Sequence, residues 1–90
     1  MKNELKPDTI YNLGSISSNI TIPNISEDGE GYKLYTMMFN VGDNVYDITF
    51  PLNWIWQDGE QPEIEANMHY EISVYNADNL YASYMKFPLE

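Results

Sequence analysis

Apolar side chains recur along much of this chain with a period of two, the spacing of a strand that buries one face. Ile16, Ser18, Ile20 and Ile22 alternate with Ser17, Asn19 and Thr21 until Pro23 stops the run, and a shorter apolar stretch from Thr9 to Leu13 precedes it, ending at Gly14. Asn24 to Gly31 is polar and Gly-containing and predicts an exposed loop. Tyr32 to Val41 is almost continuously apolar around Met37, Met38 and Phe39, which predicts a strand covered on both faces or crossing a subunit contact. After the turn Gly42-Asp43-Asn44, Val45 to Phe50 alternates again with Tyr46, Ile48 and Phe50 on one side, so Tyr32–Phe50 reads as a hairpin.

Leu52 to Trp56 forms a short aromatic segment closed by Gln57-Asp58-Gly59-Glu60, and Gln61-Pro62 reopens an extended course through Ile64. His69–Tyr75 places Tyr70, Ile72 and Val74 on one face. Leu80–Phe87 returns with Leu80, Ala82 and Tyr84 opposed to Tyr81, Ser83 and Met85, and Asn76 to Asn79 supplies the hairpin turn.

Residue choice reinforces this pattern. Nine Ile and eight Tyr stand beside three Ala, and ten Asn with scattered Gly and Pro punctuate the chain, so summed propensity favours sheet over helix. The expected fold is all-β: a small antiparallel β-sandwich or barrel-like meander of about six to eight short strands, in a single domain over 9–90. Residues 1–8, polar and ending near Pro7, are expected to form a flexible arm. With no cysteine, a chain of 90 residues draws no stability from disulfides, leaving a good core or association between copies to supply it.

Charge narrows the partners. Fourteen acidic residues against four Lys and no Arg give a net charge of −10. Binding to nucleic acid or to an anionic membrane surface needs clustered Lys and Arg, whereas Lys2, Lys6, Lys33 and Lys86 are dispersed. No apolar run reaches the roughly 20 residues of a transmembrane helix. The start Met1 to Pro7 has no apolar h-region, so no signal peptide and synthesis in a cytoplasm are expected.

Candidate chemistry is sparse. Asp43, Asn44 and Asp47 are oxygen ligands close in sequence, and Asp28 and Glu30 flank Gly29, but neither stretch has the calcium-loop spacing, so solvated turns are expected and no metal or other cofactor. His69 has no second histidine to share a metal with and reads as a surface or interface imidazole. Glu63 and Glu65 are same-face strand carboxylates rather than a glycosidase pair, and no enzymatic activity is expected. The sequons at Asn19 and Asn24 are discounted for want of a secretion signal.

One segment carries a recognisable order of residues. Ile48-Thr49-Phe50-Pro51 is followed by Trp56-x-x-Gly59-x-x-Pro62, then by Asn67-x-x-Tyr70-Glu71-Ile72-Ser73-Val74 and a closing aromatic strand. Over about residues 48–87 this resembles a β-module of tailed-bacteriophage virion proteins, found in tail-fibre, head-fibre and baseplate-associated chains. The final strand, Tyr81 to Phe87, has less Gly and Trp than that module usually shows, and residues 1–47 carry none of its pattern. The resemblance implies a structural virion protein, often trimeric, that contacts other virion proteins, and implies no catalytic residue.

Beside that reading stand two others. A small acidic chain could bind and inhibit a basic host protein, which requires carboxylates arrayed on one face. Trp54 and Trp56, two apart and therefore on one strand face, read first as a core anchor (Trp56) and a cover of its edge (Trp54), and as the alternative could stack on a host-surface glycan or plug a partner's pocket. Trp54, Trp56, Tyr81, Tyr84, Met37 and Met38 are thus the candidate interface or ligand contacts. Tyr11, Tyr70 and Tyr75 belong to the same amphipathic tyrosine group.

Overall fold

The computed structural model describes residues 4–5, 8–25 and 33–89. The described residues contain no helix and nine strands: β1 (Glu4–Leu5), β2 (Thr9–Ser15), β3 (Ile20–Thr21), β4 (Asn24–Ile25), β5 (Lys33–Val41), β6 (Ile48–Thr49), β7 (Trp54–Trp56), β8 (Met68–Asn76) and β9 (Leu80–Pro88). The all-β expectation holds. Five strands form the main sheet in the order β2-β5-β8-β9-β7, mixed in direction: β5–β8 and β8–β9 are antiparallel, while β2–β5 and β7–β9 are parallel.

The inner face of this sheet is the core. Tyr35, Met37, Phe39 and Val41 of β5 lie beside Tyr70, Ile72 and Val74 of β8, all buried, with Leu80 and Ala82 of β9 next to them. Covering them is the chain between the long strands, which contributes Ile22, Ile25 and Phe50 and is held by two short parallel pairs, β1–β4 and β3–β6. Two strands running the same way need a crossover of a dozen or more residues. The crossover from β2 to β5 contains β3 and β4, and Ile22, just after β3, and Ile25, within β4, are buried in the core.

Several expectations are corrected. Val45–Phe50 keeps its alternation, with Phe50 buried and Val45, Asp47 and Thr49 exposed, but it forms no hairpin with β5. β5 takes β2 and β8 as neighbours, and Ile48–Thr49 pairs instead with Ile20–Thr21. Ser15–Ile22 is a strand only at its ends, although Ile16, Ile20 and Ile22 still turn toward the core. The predicted loop from Asn24 begins with the strand Asn24–Ile25, while 26–31 lie outside the described residues. β5 is not covered on both faces: its burial alternates, Met37 inward and Met38 half-buried on the other side. Within the expected arm, Glu4–Leu5 pairs with Asn24–Ile25, and Asp8 N–H donates to the Leu34 carbonyl at 2.7 Å, so these residues are tied to the domain; 1–3 and 6–7 lie outside the described residues.

The Gly, Asn and Tyr of the 48–87 segment hold turns and core. Gly59 has φ of 81° and its N–H donates to the Trp56 carbonyl at 2.9 Å. Asn67, with φ of 59°, starts β8 from the left-handed region that Asn tolerates better than most residues, and its N–H reaches the Gly42 carbonyl at 3.0 Å. Tyr70 pins the segment before β8: its hydroxyl donates to the Glu63 carbonyl at 2.9 Å and accepts from the Glu65 N–H at 2.8 Å.

Burial, more than anything else, raises the Tyr70 phenol above its ordinary value, opposed by the Glu65 N–H. The hydrogen bond to the Glu65 carboxylate holds the Lys86 ammonium above its usual range as well. A folded-state value above the unfolded one means stability that is complete below the unfolded value and is lost as pH rises through the folded one. Stability is therefore expected to fall above pH 10.0, the ordinary phenol value. Tyr70→Phe should cost about 1 kcal/mol at neutral pH by removing both hydrogen bonds. It should also flatten part of the alkaline decline in urea midpoint, and parallel wild-type and variant profiles would refute the assignment.

Candidate interaction surface

The outer face of the main sheet is ordered in rows by the strand registers. At one end Leu34, Tyr75, Tyr81 and Ile55 lie side by side across β5, β8, β9 and β7. The next row, Ile10, Thr36, Ser73 and Ser83, is short-chained apart from the Ile on edge strand β2. A third row carries Asn12, Met38, Glu71 and Met85, and a fourth Asn40, His69 and Phe87. Two ridges of large side chains thus flank a trough of Thr and Ser. Ten large apolar side chains are exposed among the described residues, and seven of them belong to this one face. Such concentration on one surface marks a contact site more than scattered exposed apolar residues do.

Two local arrangements shape the face. The Tyr75 and Tyr81 rings, a direct cross-strand pair, stand 5.9 Å apart between centroids at 43°. With Ile55, Gln57 and Ser83 they border an open groove of about 500 Å³ where β7 ends. At the opposite end His69 bridges strands, its Nδ1 2.6 Å from Asn40 Oδ1 and its Nε2 2.9 Å from Glu71 Oε2. Which ring nitrogen donates depends on the tautomer and on which way the Asn40 amide is turned.

The six candidate residues are divided between the two faces. Tyr81 and Met38 are on the outer face, exposed and half-buried respectively, and Tyr84 is half-buried at the core rim, 6.3 Å from Trp56 between ring centroids. Met37, Trp54 and Trp56 are in the core. Trp54 and Trp56 do share a face, but it is the inner one: they are 5% and 7% exposed and pack on Phe50 at 5.9 and 5.1 Å. Rings so enclosed have no free face for a sugar, which corrects the glycan-stacking expectation for this pair. The outer-face residues Ile10, Leu34, Ile55, Met85 and Phe87 were not among the candidates. Alternation alone reveals that they oppose the core, but their alignment in rows depends on the strand order.

Charge avoids this face. Among the residues with described side chains, every carboxylate except that of Glu71 lies outside the strands. The described residues contain no group of three or more His, Cys, Asp or Glu side chains able to hold a metal ion, and no helix long and apolar enough to cross a membrane. Comparison with protein-family models, curated proteins and solved structures finds no match for this chain.

Proposed function

We propose that this chain is a non-enzymatic structural component of a tailed-phage particle, of fibre, decoration or baseplate type, which works through protein contacts. The observation that carries a contact role is the outer sheet face, where seven of the ten exposed large apolar side chains gather. The phage setting rests on the resemblance over about residues 48–87, which also implies association of copies, three in number. The acidic turns around the sheet suit that role, because a net charge of −10 keeps single copies dispersed before assembly. The basic-host-protein reading is less well supported, since the described strand faces present no array of carboxylates.

Mass spectrometry of gradient-purified particles is the direct test. The chain should be found at a stoichiometry that is a multiple of the particle symmetry, and its absence from particles would overturn the reading.

A further inference from the structure

Resting on that assembly role, we propose that the outer sheet face is where copies of this chain meet, the Leu34–Tyr75–Tyr81–Ile55 ridge of one copy seating in the Thr36–Ser73–Ser83 trough of another. Shape supports this choice of partner. Sheets packed face to face interdigitate their side chains at about 10 Å. A ridge beside a trough on the same face supplies both halves of such a contact.

Area agrees. The strands have nine, nine, nine, seven and three residues. At about 3.3 Å per residue and about 4.8 Å between strands they present about 600 Å². Two such faces pressed together withdraw about 1,200 Å², the lower end of the range for stable interfaces.

Charge selects a second copy over a basic partner. Two chains of −10 repel over most orientations, and they can approach closely only where carboxylates are missing. On the outer face the strands carry one carboxylate, Glu71, and His69 already engages it. A basic partner would find little here to pair with. A copy would find an apolar, nearly neutral surface, and added salt would help by screening the remaining charge.

The absence of cysteine makes the test clean. Ser73→Cys places one thiol in the trough, and Thr49→Cys places one on an exposed residue away from this face. At micromolar concentration the Ser73→Cys thiol of the full-length chain should be shielded from a maleimide by the partner's ridge and become reactive on dilution, whereas the Thr49→Cys thiol should react at the same rate at both concentrations. Two faces pressed together close as a pair, so light scattering should give twice 10.5 kDa, and the three copies that the resemblance implies need a further contact. Association should tighten between 50 and 500 mM salt and weaken at least tenfold in Met85→Lys, whose exposed side chain can be replaced without disturbing the core. Far-ultraviolet circular dichroism checks that each variant folds.

A monomer at 100 μM overturns the proposal and leaves the face to a different protein. So does an oligomer that ignores Met85→Lys and leaves the Ser73→Cys thiol as reactive as in the dilute chain, because its copies then meet elsewhere. Neither result removes the chain from the particle, which mass spectrometry decides separately.

Discussion

Trp56→Ala should unfold a large part of the population near physiological temperature. Trp56 lies within one aromatic cluster, its ring 5.1 Å from Phe50, 5.9 Å from Trp54 and 6.3 Å from Tyr84. Truncating a buried Trp to Ala typically costs about 3–5 kcal/mol. A domain of this length holds total stability of only about 5–13 kcal/mol, and each kcal/mol moves the midpoint of a chain this size by about 4–8 °C. The melting temperature should therefore drop by at least about 12 °C. The same substitution separates the two roles considered for the tryptophans. A sugar-stacking Trp would lose ligand and keep its fold, whereas this one should lose the fold, visible as loss of the near-ultraviolet dichroism. A melting temperature within a few degrees of wild type would refute the core assignment.

Deleting residues 1–15 should be equally damaging, by another route. β2 covers one side of β5 through backbone hydrogen bonds, and Tyr11 and Leu13 pack on the core from it. Without β2, the nine-residue β5 becomes an edge with its N–H and C=O groups unpaired. Such edges template pairing with other chains. β2 itself ends in an irregularity: its register shifts between Asn12 and Ser15, Gly14 has φ of 67°, and the Gly14 N–H is taken up by Asn12 Oδ1 at 3.0 Å. A bulge of this kind bends an edge strand away from regular pairing and blunts it. The truncated chain should aggregate, eluting in the void volume of a sizing column and binding thioflavin. If it elutes as a soluble folded species, β2 is dispensable.

Much of the local structure was legible in the sequence, and the reason is parity. Tyr46, Ile48 and Phe50 have the burial phase that their alternation implies, and so do Tyr70, Ile72 and Val74, with Leu80, Ala82 and Tyr84 in β9. The β8–β9 hairpin was readable as well, because a short Asn-rich connector joins two alternating runs. Parity does not name a partner. Val45–Phe50 follows a good turn and so suggested pairing with the strand before it, yet Ile48 lies opposite Ile20, far back in the chain. Parallel pairs carry no turn signal between their members, so β2–β5, β3–β6 and β7–β9 left no local mark.

The same limit applies to the site. That Trp54 and Trp56 share a face follows from their spacing, but whether the face is wet or dry depends on Phe50 folding over it. For Met37 and Met38 the continuous apolar run suggested two covered faces, and one half of that suggestion survives as a core position and the other as an outer-face residue. The outer surface became visible only when strand order set Leu34, Tyr75, Tyr81 and Ile55 in one line.

The parallel pairs also govern the order in which the molecule can assemble itself. Among the described residues of the main sheet, only the β8–β9 hairpin closes through a short loop, and it comes last in strand order. On a ribosome, β2 emerges well before β5, and β5 in turn waits for β8. Distant pairings of this kind slow folding, because loop closure must precede any gain from contact. The β8–β9 hairpin is therefore the natural nucleus, onto which β5 and then β2 dock. Until it exists, the apolar strands of the first half have nothing to rest on, and over that interval the negative charge of the nascent chain is its main protection against its own copies.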